Sequence, residues 1–354
     1  MIESIDYFET SIPLKRVFRT FLGSTSAYGG FLVRIRTVEG FEGWGEAIPA
    51  RRITGETAGS IGSFLDMMKQ KLAGMDELRM EAIWEMMERE AIGSYGAKCA
   101  VDTAIWDIIG RKANLPLSSM LGGYREKVET SFTVDLGSVE EAEEQISEYL
   151  GMGVRSLKVK LGRGLQDDYE CVKKARQMGG SEVTVCVDFN QSYTPKKALE
   201  LSSSIHKFEV DFLEQPVKAS DLEGLKYVRD RSQIPVMADE SVHGPGDALR
   251  IVRMEAADML NLKLVKAGGI TRGLRVIDIA ESAGMPVMIG CTVETKVGIT
   301  AAVHVALARR IVNYTDLDGC YSLTRDVAEG GAVLNAGMHT AAGPGLGLTL
   351  KGVS

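Results

Sequence analysis

Eight short apolar runs, separated by segments of helical periodicity, limit the folds open to this chain more than any other feature. The runs fall at Thr130–Leu136, Ser156–Leu161, Val183–Asp188, Val210–Glu214, Val236–Asp239, Met259–Leu264, Val287–Gly290 and Ile311–Asp316. Amphipathic segments separate them, among them Val139–Leu150, Pro195–His206, Leu222–Arg231, Gly269–Ser282 and Glu294–Leu307. Eight β-then-α units of roughly 25–28 residues are what a parallel eight-stranded barrel requires. An open doubly wound sheet would want a glycine-rich phosphate turn after an early strand. Neither G-x-G-x-x-G nor G-x-x-x-x-G-K occurs in that context. The expected fold class is α/β, a modified (β/α)8 TIM barrel spanning residues 126–323.

Residues 1–125 lie outside the repeat. Strands of an antiparallel meander are expected at Ile12–Leu14, Gly30–Arg36 and Gly40–Ala47, with a glycine-rich loop, Thr20–Gly29, between the first two. Helical periodicity follows through Ile61–Leu72, Met80–Met87 and Ala97–Ala113. Strands and then helices predict a segregated α+β subdomain. The tail, residues 324–354, is rich in glycine (Gly343-Pro-Gly-Leu-Gly347) and is expected to return to that subdomain.

Composition removes whole classes of function. With a net charge of -7 and both signs interspersed, neither a nucleic acid nor an anionic membrane is an expected partner. The five cysteines, Cys99, Cys171, Cys186, Cys291 and Cys320, are scattered without C-x-x-C spacing, which points to free thiols in a reducing compartment. The opening residues lack a basic and then apolar leader pattern, and no apolar run approaches membrane-spanning length, so a cytoplasmic location is expected.

The charged residues fall where a barrel keeps its chemistry, at the C-terminal ends of strands. In order these ends carry Lys158 and Lys160, Asp188 with Asn190, Glu214, Asp239 with Glu240, Lys263, and Asp316 with Asp318. In Ser156–Leu161 the period of two puts Lys158 and Lys160 on one face, opposite Leu157, Val159 and Leu161. A lone K-x-K reads as a solvated edge strand. Here carboxylates on three successive strands lie between lysines. Each ammonium also raises the cost of protonating its neighbour, which predicts a depressed pKa suited to a general base.

Asp188, Glu214 and Asp239 offer three hard oxygen ligands, a set that suits Mg²⁺ better than zinc. No histidine is placed to join them: His206 and His304 fall inside helical stretches, His339 is in the tail, and His243 follows the fifth run. A substrate carboxylate bound to the metal would hold its α-carbon between Lys160 and Lys263. One base on each face allows a proton to leave one side and return on the other, which is racemisation or epimerisation.

The motif set resembles the muconate-lactonising subgroup of the enolase superfamily, whose pattern is K-x-K, D-x-N, E-Q-P, A-D-E and N-x-K on successive strands. This chain has Lys158-Val-Lys160, Asp188-Phe-Asn190, Glu214-Gln-Pro216, Ala238-Asp-Glu240 and Asn261-Leu-Lys263. Leu121-Gly-Gly-Tyr-Arg125 and Ile53-Thr-Gly-Glu-Thr57 resemble the subgroup's N-terminal α+β capping domain. The resemblance implies Mg²⁺ on Asp188, Glu214 and Asp239 and catalysis by Lys160 and Lys263, its N-x-K motif favouring Lys263 over Lys266 as the second base.

Within the subgroup the chain is most similar to the dipeptide epimerases, which carry a D-x-D at the eighth strand end for the substrate's α-ammonium; Asp316 and Asp318 match it. Two carboxylates there suit a cation and not a dicarboxylate. The same resemblance implies that Thr133, Lys158, Cys291 and Val293 line the substrate site. Family members specific for Ala-Glu resemble one another in an arginine of the early loop, where this chain has Gly23. Phe21, Gly23 and Tyr28 are therefore candidate specificity residues, and Arg19 is the basic residue nearest in sequence. The expected reaction is Mg²⁺-dependent epimerisation of a dipeptide at the α-carbon of its C-terminal residue, with apolar side chains ahead of Ala-Glu. An o-succinylbenzoate synthase or muconate cycloisomerase-type reaction is the alternative, and a non-catalytic barrel is a third. A homo-oligomer is expected.

Overall fold

The computed structural model describes residues 1–351. Three antiparallel strands open the chain, Ile2–Thr20, Gly23–Thr37 and Glu42–Ala47, paired in that order. The expected loop at Thr20–Gly29 is instead a tight hairpin, with Phe18 opposite Thr25, Arg19 opposite Ser24 and Thr20 opposite Gly23. Small polar residues with two glycines read locally as loop. Ladder hydrogen bonds to the preceding strand override that composition.

Helices Ala58–Lys71, Met80–Glu90 and Tyr95–Ala113 cover one face of this sheet, burying Val33, Ile35, Ile61, Leu65 and Ile105 in a common core. The longest helix lies directly on the third strand because that strand offers it glycines. A Cβ on Gly45 would stand 1.9 Å from the carbonyl oxygen of Ala100, and one on Gly43 2.0 Å from that of Ala104.

Eight strands then form one sheet: Phe132–Val134, Ser156–Lys160, Thr184–Asp188, Leu213–Glu214, Val236–Ala238, Met259–Leu262, Val287–Gly290 and Val312–Asp316. Every neighbouring pair in it is parallel. The Ser131 amide donates to Thr315 O at 2.9 Å, joining the eighth strand back to the first. Local signals start the outer helices: Ser138 and Glu141 form a reciprocal capping box on Val139–Gly151, and Pro195 and Pro245 occupy first turns.

Seven strands are followed by such a helix, not the eight expected. After Asp316 the chain makes a 3-10 turn, Gly319–Ser322, and then short antiparallel strands Ala328–Gly330, Ala332–Asn335, Met338–Ala341 and Leu348–Leu350. Beyond Asp318 the sequence is dense in glycine and has no amphipathic run to bury a helix. This tail bonds to the helical part of residues 1–125: Leu346 N donates to Asp107 Oδ1 (2.8 Å) and Arg111 Nη2 to Leu348 O (2.8 Å). Among the described residues no helix is long and apolar enough to cross a membrane.

Candidate active site

The barrel interior is layered by the two-residue period of its strands. Cys186, Phe212, Met237, Met259 and Met288 point inward and pack together, with Tyr314 against them, as a dry plug. Two positions further along the same strands, on the same face, come Asp188, Glu214, Asp239, Asn261, Gly290 and Asp316. Gly290 makes room for its neighbour, since a Cβ there would lie 2.5 Å from Asn261 Oδ1.

Asp188, Glu214 and Asp239 are fully buried, and one carboxylate oxygen from each lies within 4.8 Å of the others. Burial first, then repulsion from Asp188 and Asp239, pushes the Glu214 carboxyl up to about 8. Asn261 Nδ2 steadies Glu214 Oε1 at 2.9 Å. Oε2 receives no hydrogen bond, although Lys158 Nζ is 2.9 Å away. Burial also works against charge on Asp188, but Lys160 and Lys158 outweigh it and hold that carboxyl at about 2. An all-oxygen set of three converging buried carboxylates fits a hard divalent cation.

Four lysines surround this cluster. Lys160 Nζ is 2.6 Å from Asp188 Oδ2, and Lys263 Nζ is 2.7 Å from Asp239 Oδ2. Strands two and six stand half-way round an eight-stranded ring from each other, so these two lysines approach from opposite sides. Lys266 is buried, and its Nζ donates to both the backbone carbonyl and the carboxylate of Asp239. Lys158 departs from expectation. It is wholly buried beneath the cavity rather than lining it, held by Asp316 at 2.7 Å, Glu214 at 2.9 Å and Asp188 at 3.2 Å. Its pKa is raised: burial opposes the ammonium, but Asp316, Glu214 and Asp188 outweigh burial. Carboxylates at contact distance dominate over the neighbouring lysine.

Above the cluster opens a cavity of about 630 Å³, lined by Lys160, Lys263, Asn190 and Glu240 and roofed by the N-terminal hairpin. Thr133, Cys291, Val293, Asp316 and Asp318 line it as well. Asp318 Oδ2 accepts from the Thr133 amide at 2.7 Å, and Thr133 Oγ1 lies 3.4 Å from Asp316 Oδ1. Burial, and then Asp316, raise Asp318 to about 6. Of the hairpin candidates, Gly23 and Tyr28 line the cavity. Phe21 does not: it is half-exposed at the turn, with its ring against Gly162 at the end of the second barrel strand.

Sequence reading missed several lining residues. Asp135 shares a face with Thr133 two positions earlier, a signal the period could have given; burial, reinforced by Asp318 and opposed by Arg16, raises it to about 7. Arg51 and Arg52 also line the cavity. They come from the segment after the third strand, and only the tertiary fold brings them there. They bring two guanidinium groups to a cavity whose hairpin has Gly23 where the Ala-Glu-specific family members carry an arginine. Two histidines are occupied away from the site: His304 Nδ1 accepts from Ser118 N at 3.1 Å, and His339 Nε2 lies 3.1 Å from Leu317 O.

Residues 5–122 match the mandelate racemase/muconate lactonizing enzyme N-terminal domain, and residues 140–353 match the family described as enolase C-terminal domain-like. The chain is 39% identical over 352 residues, 98% of each chain, to an L-Ala-D/L-Glu epimerase of Clostridium acetobutylicum. It is 36% identical to a hydrophobic dipeptide epimerase of Enterococcus faecalis, covering 95% of each. Among solved structures, the substrate-liganded L-Ala-D/L-Glu epimerase from Bacillus subtilis superposes with a TM-score of 0.96 at 36% identity, covering 98% of each chain. The Enterococcus faecalis dipeptide epimerase complexed with Mg and L-Leu-L-Tyr also gives 0.96 at 36% identity, over 98% of this chain and 99% of that one. With the layered barrel, the hairpin cap and the two opposed lysines, these matches show that the chain belongs to the enolase superfamily, in the mandelate racemase/muconate lactonizing enzyme group that includes the dipeptide epimerases.

Proposed function

We propose that this protein epimerises a dipeptide at the α-carbon of its C-terminal residue by a two-base proton transfer. The observation that carries the reading is the placement of Lys160 and Lys263 on opposite sides of one cavity, each beside a carboxylate of the buried triad. Asp188, Glu214 and Asp239 would hold Mg²⁺, which when bound supplies the positive charge that stabilises a developing enolate. Lys160 and Lys263 exchange the α-proton, one lysine withdrawing it and the other returning it from the opposite face. Asp316 and Asp318 receive the free α-ammonium, and Thr133, Cys291 and Val293 complete that wall. Two carboxylates there disfavour the dicarboxylate substrates of the lyase alternative.

The relatives differ in the side chains they are named for, from Ala-Glu to hydrophobic to Lys-Arg dipeptides. The apolar preference expected from Gly23 rested on a cavity without a cation, and Arg51 and Arg52 weaken it. Five free cysteines, all buried, support a reducing cytoplasm as the working location. A dipeptide library incubated with Mg²⁺ in deuterated water and read by mass tests the function. Dipeptides gaining one deuterium at the C-terminal residue support it, and a library with no labelled member refutes it.

A further inference from the structure

Two guanidinium groups that line the cavity have no counter-charge among the described residues. The other cations lining the cavity are engaged: Lys160 with Asp188, Lys263 with Asp239, Arg16 with Glu148, and Lys15 with the carbonyl of Tyr321. Arg51 and Arg52 have no carboxylate partner among the described residues, although both line the cavity. Their segment is pinned from below. Ile53 N and Thr54 N bond back to Ala50 O, and buried Glu56 accepts from Gly96 N and Ala97 N at 2.7 and 3.1 Å.

Arg52 stands beside the hairpin turn that roofs the cavity. A Cβ built on Gly23 would lie 3.3 Å from Arg52 Nη1, so the guanidinium occupies the space next to the hairpin turn. The same turn presses Phe21 onto Gly162, two residues beyond Lys160. The chain thus has Arg52 on the Lys160 side of the cavity and Asp316 with Asp318 at the eighth strand. A side chain at residue 23 would be strained by its φ of +145° and would also meet Arg52. Gly23 therefore leaves room for a cation delivered from another segment.

We infer that Arg52 pairs with the side-chain carboxylate of the dipeptide's C-terminal residue and so selects acidic dipeptides. The inference rests on the dipeptide reading above and adds the substrate class. The cavity is then polar at both ends in the right order, with carboxylates for the α-ammonium and a guanidinium for the distal carboxylate.

The test is the ratio of kcat/KM for L-Ala-L-Glu to that for L-Ala-L-Leu, in wild type, Arg52→Leu and Arg52→Lys. Wild type is expected to favour L-Ala-L-Glu, Arg52→Leu to lower the ratio by roughly 10–100-fold mainly through KM, and Arg52→Lys to restore part of it. Higher ionic strength should also lower the wild-type ratio. A wild-type preference for L-Ala-L-Leu, or equal losses on both substrates in Arg52→Leu, overturns the assignment of Arg52 while leaving the dipeptide reading intact. Turnover of neither dipeptide, or of any other in the library, overturns both.

Discussion

Replacing Asp318 by asparagine separates the binding of a substrate ammonium from the stability of the free protein. The two carboxylates of the D-x-D are not equivalent. Asp316 is already paired with Lys158 at 2.7 Å, so its removal would also disturb the carboxylates beneath. Among the described residues Asp318 accepts from the Thr133 amide and makes a long contact with Cys291 Sγ, with no cation on it. Asparagine keeps the shape and can still accept from Thr133. The lost ionic hydrogen bond is worth about 1.5–3 kcal/mol, so kcat/KM for free dipeptides should fall about 10- to 150-fold. N-acetylated dipeptides, which have no ammonium, should be poor substrates of wild type and should lose far less. Stability moves the other way. Burial and Asp316 raise Asp318 to about 6, so the folded state resists its charge, and that cost grows as pH rises from about 4 to 6 and is complete above. It reaches at most about 3 kcal/mol. Asp318→Asn is therefore expected to melt no lower than wild type at pH 8, while wild-type kcat/KM for free dipeptides declines below about pH 6. Steady-state kinetics on free and N-acetyl L-Ala-L-Glu, with thermal melts at pH 5 and 8, decide it. A kcat/KM within twofold of wild type, or equal losses on free and acetylated substrates, would refute the reasoning.

Three further outcomes are expected. Adding Mg²⁺ to EDTA-treated protein should raise its melting temperature, by about 2.7 kcal/mol of stability at a hundredfold excess over Kd, and full activity without any divalent ion would contradict the metal assignment. Burial holds His304 and His339 near 4, so stability should fall as pH drops from about 6.5 towards 4, by up to about 3 kcal/mol for each. His304→Gln should flatten that slope, and an unchanged slope in acid melts would count against the burial argument. Gly45→Ala should destabilise by about 1–3 kcal/mol or more, because its Cβ would meet Ala100 O at 1.9 Å, whereas Gly29→Ala, with nothing within 4 Å, should be tolerated.

The barrel was legible because strand periodicity and strand-end charge agree. Cys186 and Asp188, or Met237 and Asp239, differ by two positions, and that spacing alone puts an apolar plug below a charged layer. The hairpin was not, because Gly23, Ser24 and Ser26 carry no preference strong enough to announce a strand; pairing with the preceding strand decides. Arg52 lies 29 positions after Gly23 in the chain (52 minus 23), and nothing local links the two. The raised pKa of Lys158 was not legible either, because the carboxylates that hold its ammonium come from three other strands.

The central claim is that Lys160 and Lys263 act as bases on opposite faces of one α-carbon. Its most direct test follows deuterium wash-in from D₂O by Lys160→Ala and Lys263→Ala, each given the L,L and the L,D diastereomer separately. Loss of a positioned base should slow interconversion by roughly 10²–10⁴-fold or more in both. Each variant should still exchange the α-proton of one diastereomer, Lys160→Ala one and Lys263→Ala the other. Near wild-type interconversion by either variant, or wash-in to the same diastereomer by both, would contradict the account.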